Sequence, residues 1–139
     1  CNIYSVYTVL LSKLVFVLIS KLINRGIMNS KEVVLKQIEE YNNQDIEKCL
    51  AYCDEQIEVL LLPNNEELIK GKGVLREHLT SSVGTDEFEF AEVLEVISLG
   101  NFVTTVEKKT KKSSGDSRLL LITYLVEDSL IKTMWAARS

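Results

Sequence analysis

EFEFAEVLEVISLGNFVTTVEKKT, residues 87–110, and RLLLITYLVEDSLIKTMWAA, residues 118–137, decide the fold class. They hold four β-type segments, Glu87 to Leu99, Asn101 to Lys109, Arg118 to Val126 and Leu130 to Ala137, rich in Val, Ile, Leu, Thr and aromatic residues. Gly100-Asn101, Lys111 to Ser117 and Glu127-Asp128-Ser129 part them, and such compositions suit the turns of antiparallel hairpins. In the first segment Phe88 and Phe90 share one parity while Val93, Ile97 and Leu99 take the other, which predicts a β-bulge between the two sets.

Upstream the period is helical. Val34, Ile38 and Tyr41 recur at spacings of four and three within Ser30 to Asn42, so one face of a helix is apolar, with Asn29 or Ser30 to cap it and Asn42-Asn43 to stop it. Asp45 to Cys53 reads as a second helix, capped by Asp45, with Ile46, Cys49, Leu50 and Cys53 inward. Glu58 to Leu62 is a short strand ending at Pro63-Asn64-Asn65. Gly71-Lys72-Gly73 then leads into a helix, Val74 to Ser81, with Val74, Leu75, His78 and Leu79 on one side. Helices first and an antiparallel run afterwards is the α+β order, with the helices packed on one face of a curved sheet.

With 139 residues, 46% of them hydrophobic and 26% charged, the chain is sized for one domain, which we place at residues 28–139. Residues 1–27 hold Lys13, Lys21 and Arg25 and no acid, leaving 13 basic against 20 acidic residues downstream, a formal charge of −7. That balance argues against nucleic acid as a partner, because phosphates demand a basic face. Ile3 to Ile23 is strongly apolar, but Lys13 would lie mid-bilayer if the whole stretch spanned a membrane. We read residues 1–27 as an extension outside the fold, non-native or translated from upstream, with a membrane anchor as the other reading. A membrane is a partner only if residues 1–27 are native, and the expected location is otherwise cytoplasmic. Three cysteines cannot all pair, which fits a reduced, intracellular protein. Cys49 and Cys53 read as small apolar packing residues, and with His78 the only histidine no metal site or cofactor is implied.

Four stretches carry a family resemblance: QIEEYNNQDIEKCLAYCDEQIEVLLLP (37–63), IKGKGVLREHL (69–79), LGNFVTTVEKKT (99–110) and YLVEDSLIKTMW (124–135). In order and spacing they resemble the SnoaL-like and ketosteroid-isomerase-like members of the nuclear transport factor 2-like superfamily. The resemblance covers nearly all of Ser30 to Arg138 and implies a cone-shaped α+β barrel, in which a bent sheet and three helices enclose a pocket. In the isomerases an aspartate on the first strand moves a proton while a tyrosine and a protonated acid polarise the substrate oxygen. The resemblance puts those positions at Leu61, near Gln37, and near Ile122 or Thr123. A leucine accepts no proton, so that chemistry is not expected here.

The resemblance also assigns the cavity wall. On the second long strand it turns Phe102, Thr104 and Val106 inward and Val103, Thr105 and Glu107 outward. Strand parity adds Val59 and Leu61, then Leu120, Ile122 and Tyr124. Gln37, Ile38 and Tyr41 of the first helix close the narrow side. On the last strand either Met134 or Trp135 faces in, and Trp135 is taken as the lining residue. The expected partner is a small apolar molecule held by one or two hydrogen bonds. His78 is the candidate acid or base of a lyase or isomerase, and a half-buried or exposed structural histidine is the alternative. Arg76, Glu77 and Glu107 read as surface ion pairs, and Lys108 to Lys112 as a solvated turn that protects the sheet edge. The run Leu119 to Val126 is apolar on both parities, so the outer sheet face also needs cover. A homodimer through that face is expected. A protein-interaction module with a vestigial pocket is the competing function.

Overall fold

A computed structural model describes residues 6–16 and 28–139. Helix α1 (Ser30–Asn42) opens the domain, and its cap is reciprocal. Asn29 Oδ1 accepts from the Glu32 amide at 2.9 Å while Asn29 Nδ2 donates to the Glu32 carboxylate at 3.4 Å. Its buried stripe is Val33, Val34, Gln37 and Ile38. Helix α2 (Ile46–Leu50) is capped by Asp45, whose side chain accepts from the Lys48 amide. After β1 (Cys53–Leu61) and β2 (Glu66–Lys70) comes α3 (Lys72–Thr80), then β3 (Glu89–Leu99), β4 (Phe102–Lys111), β5 (Ser117–Glu127) and β6 (Leu130–Arg138).

The six strands form one sheet in the order β2-β1-β6-β5-β4-β3, in which only β1 and β6 pair in parallel. The sheet is curved and unclosed, and the helices fill its concave side to make a cone. Val33, Val34, Ile38, Leu50, Ile57, Val103, Ile122 and Tyr124 meet in the core. A bulge is present but further along than expected: the β3–β4 register shifts between Val93 and Glu95, inside the second set, so Val93 packs on the core while Ile97 and Leu99 face outward. The β5–β6 hairpin turns through Asp128 and Ser129, both at positive φ (54° and 61°), a two-residue turn whose twist suits a hairpin.

In the second quarter of the chain one expectation fails and one strand goes unread. The second helix stops at Leu50 rather than Cys53, because Cys53 opens β1 and pairs with Ile131, while the Ile131 amide donates to the Tyr52 carbonyl at 2.8 Å. A partner 78 positions away in sequence thus overrides the local helical period. Glu66–Lys70, to which the sequence pattern assigns no element, is an edge strand in which Ile69 alone is buried, too polar a segment to show a period of two.

Cys49 and Cys53 are free, buried thiols. Burial pushes them up to about 11 and about 12 respectively, so both stay protonated and pack as small apolar groups. Gln37 Nε2 donates to Cys49 Sγ at 3.1 Å.

Residues 6–16 form a helix that is exposed throughout, and the other residues of the 1–27 stretch read as an extension or anchor lie outside the described residues. Among the described residues no helix is long and apolar enough to cross a membrane.

Candidate ligand pocket

Helices α1 and α3 and the concave face of the sheet enclose a cavity of about 350 Å³, within the usual size of small-molecule sites. Most of its wall is aliphatic: Ile38 from α1, Leu75 and Leu79 from α3, Val59 and Ile69 from the β1–β2 pair, and Leu120, Ile122, Met134 and Ala136 from β5 and β6. Exposed His78, Ser81, Glu87 and Arg118 lie where the cavity meets solvent.

The polar groups gather on the β3–β4–β5 side. Glu107 and Tyr124, each 1% exposed, lie deepest. Glu107 Oε2 accepts a hydrogen bond from Thr105 Oγ1 at 2.6 Å and another from Tyr124 Oη at 2.6 Å, lengths typical of hydroxyls donating to a carboxylate. Burial and the adjacent Glu107 carboxylate push the Tyr124 phenol well up, so Tyr124 remains a donor. Lys109 follows two residues later on the same face, its Nζ 4.0 Å from Glu107 Oε1 and 4.1 Å above the centre of the Tyr41 ring. Burial brings the Lys109 amine below its ordinary value, although Glu107 and Glu89 pull the other way. Arg118, opposite Lys109 on β5, grips Glu89 with Nε at 3.0 Å and a terminal nitrogen at 3.1 Å. That bidentate bond holds the Glu89 carboxyl below its usual range. Tyr41 Oη donates to the Glu89 backbone carbonyl, which ties α1 to this wall.

Of the residues expected to line a pocket, the structure brings together Gln37, Ile38, Tyr41, Val59, His78, Leu120, Ile122 and Tyr124. Leu61, Phe102, Thr104, Val106 and Trp135 are not on its wall. The β4 assignment is inverted. Val103, Thr105 and Glu107 are buried, whereas Phe102 is 48% exposed on the convex face and its ring lies 6.4 Å from that of Trp135. Met134, the other choice on β6, faces the cavity. Leu61 is half-buried at the far end of β1, beside the turn that begins at Leu62.

The inversion has a findable cause. Residues directly opposite on antiparallel strands share a face, and here Val103 faces Tyr124, Thr105 faces Ile122 and Glu107 faces Leu120. Turning Leu120, Ile122 and Tyr124 inward therefore turns Val103, Thr105 and Glu107 inward too. The register of the β4–β5 hairpin carried that signal, and reading the two strands separately missed it.

Glu107 is thus no surface ion pair, and the lysine cluster is not uniformly solvated. Lys109 points into the fold, and Lys111 pairs with Glu87 at 2.8 Å. Arg76 does make an exposed pair, with Glu47 at 2.8 Å. Among the described residues no group of three or more His, Cys, Asp or Glu side chains is arranged to hold a metal ion.

No family model matches the chain, and no curated protein does. Solved structures do match. A protein of unknown function from Cytophaga hutchinsonii, described as NTF2-like, superposes with a TM-score of 0.67 at 12% identity, covering 79% of this chain and 89% of that one. The chain has the nuclear transport factor 2-like fold. An uncharacterised cystatin-fold protein from Novosphingobium aromaticivorans matches with a TM-score of 0.69 at 18% identity over 78% of this chain and 97% of the other. A candidate ketosteroid isomerase from Kribbella flavida matches with a TM-score of 0.69 at 14% identity over 79% and 77%. Nuclear transport factor 2-like cones serve unrelated functions, so identities this low carry the fold alone.

Proposed function

We propose that the domain binds a small, mainly apolar molecule with one polar end, seated in the cone with that end toward Glu107, Lys109 and Tyr124. One observation carries this: about 350 Å³ remains open beneath the helices although Tyr124 is fully packed, with aliphatic walls and the polar groups gathered on one side. A vestigial pocket would be filled by its own side chains, so the open volume favours ligand binding over a pure interaction module. Isomerisation by an aspartate base has no support, since the position that the resemblance gives the base is Leu61, which lies off the wall. His78, exposed at the rim, is placed to meet an entering ligand, and an acid or base role for it is the weaker reading.

The test is a thermal-shift and native-mass screen of the full chain against steroids, polyketides and fatty acids. A ligand at about 100 times its dissociation constant adds about 2.7 kcal/mol to stability, a clear rise in melting temperature. Failure of every apolar class to shift the transition would overturn the binding role.

A further inference from the structure

Lys109 is the only amine on the cavity wall among the described residues. Its side chain is 15% exposed, and its nitrogen is held between the Tyr41 ring and the Glu107 carboxylate, at 4.1 and 4.0 Å. The charges nearby are already matched, Lys109 by Glu107 and Arg118 by Glu89. A ligand bringing a full charge would leave one of these groups unpaired in a poorly solvated corner, whereas an uncharged polar group would not. Among uncharged groups, an aldehyde or ketone carbonyl condenses with a neutral amine when an acid–base group such as a carboxyl stands beside it.

We propose that Lys109 captures apolar aldehydes or ketones bound in this cavity, condensing with them to form an imine, with the Glu107 carboxyl carrying the protons. The proposal rests on the binding role above and names its substrate class. The amine lone pair attacks the carbonyl carbon, the carbonyl π pair moves to oxygen, and one of the two nitrogen protons passes to that oxygen. The resulting carbinolamine loses its hydroxyl as water while the C=N bond forms and nitrogen releases its remaining proton. Amine and carbonyl give imine and water, with no oxidant or reductant. Glu107 stands close enough to Nζ to take the proton that nitrogen loses and return one to the departing hydroxyl, directly or through one water.

The reaction needs the neutral amine. The Tyr41 ring face, Glu107 and Glu89 each favour the ammonium, while burial and the Arg118 cation oppose it, and the net displacement is downward.

The probe pair is naphthaldehyde and the matching naphthyl alcohol, offered to the full chain near neutral pH, the aldehyde together with sodium cyanoborohydride. Intact mass and peptide mapping should find one reduced adduct per chain, at Lys109. Lys108→Arg should leave the adduct unchanged, Glu107→Gln should slow its formation, and Lys109→Arg should abolish it. Lys109→Met serves if the guanidinium does not fit. Adducts confined to surface lysines, with the alcohol still raising the melting temperature of the natural sequence, would overturn carbonyl capture and leave the binding role standing. No adduct at Lys109 and no shift with either probe would overturn carbonyl capture, and failure of the steroids, polyketides and fatty acids as well would overturn the binding role.

Discussion

Glu107 and Tyr124 show how a carboxylate is kept in a core of this size. An ionised acid out of water is costly unless donors surround it, and Thr105 and Tyr124 each supply a 2.6 Å hydrogen bond to Oε2 while Lys109 faces Oε1. The three donors occupy the inner faces of two neighbouring strands, so the network also locks the β4–β5 register. Tyr124→Phe keeps the ring and removes one donor. It should cost about 1–3 kcal/mol, the range for leaving a buried acceptor short of a partner, read as a lower urea midpoint with an unchanged slope. A loss below about 0.5 kcal/mol would mean that the carboxylate does not depend on the phenol. The same geometry explains why Glu107 escaped the sequence: a glutamate on a strand ordinarily faces water, and only its cross-strand partner, Leu120, marks it as interior.

At the scale of elements, α1 does more than cover the sheet. Asn42 at its C-terminus donates from Nδ2 to the Ala91 carbonyl at 2.7 Å and accepts from the Ala91 amide at 2.8 Å. It stands in for a neighbouring strand along β3, which lies at the sheet edge. Asn42→Ala should cost about 1–3 kcal/mol and strip hydrogen-exchange protection from the Ala91 amide first. Retained protection there would sink this role. The helix itself was plain in the sequence, because Val34, Ile38 and Tyr41 repeat at helical spacing. So was the turn at Asp128-Ser129, whose signal is local, whereas the bulge in β3 falls after Val93 rather than before it. What stayed hidden depends on distant partners: the start of β1 at Cys53, fixed by Ile131, and the edge strand β2, held by β1 alone. The cavity was half legible for the same reason. The helix-one residues and the inward set of β5 follow from periodicity, whereas Lys109 and Arg118 become wall residues only once the hairpin register is known.

For the molecule as a whole, the convex face of the sheet is the unsettled surface. The helices pack on the concave side, so nothing in the domain covers Ile97 (72% exposed), Leu99 (82%), Phe102 (48%) or Leu121 (41%). These residues are contiguous across strands: Leu99 pairs with Phe102 and Phe102 with Leu125, while Ile97 pairs with Thr104 and Val106 with Leu121. Apolar patches of this kind on a folded surface mark contacts. We propose that a second copy of the chain covers the patch, because an isologous two-fold contact lets each face bury its twin without a further surface. The exposed helix at residues 6–16 is the competing cover, apolar enough to lie on the same face. Light scattering at tens of micromolar distinguishes them: the full chain and a chain beginning at Met28 should both be dimers, and Leu121→Lys should shift both toward monomer by placing a charge in the contact. A chain beginning at Met28 that stays monomeric would exclude the sheet-face dimer.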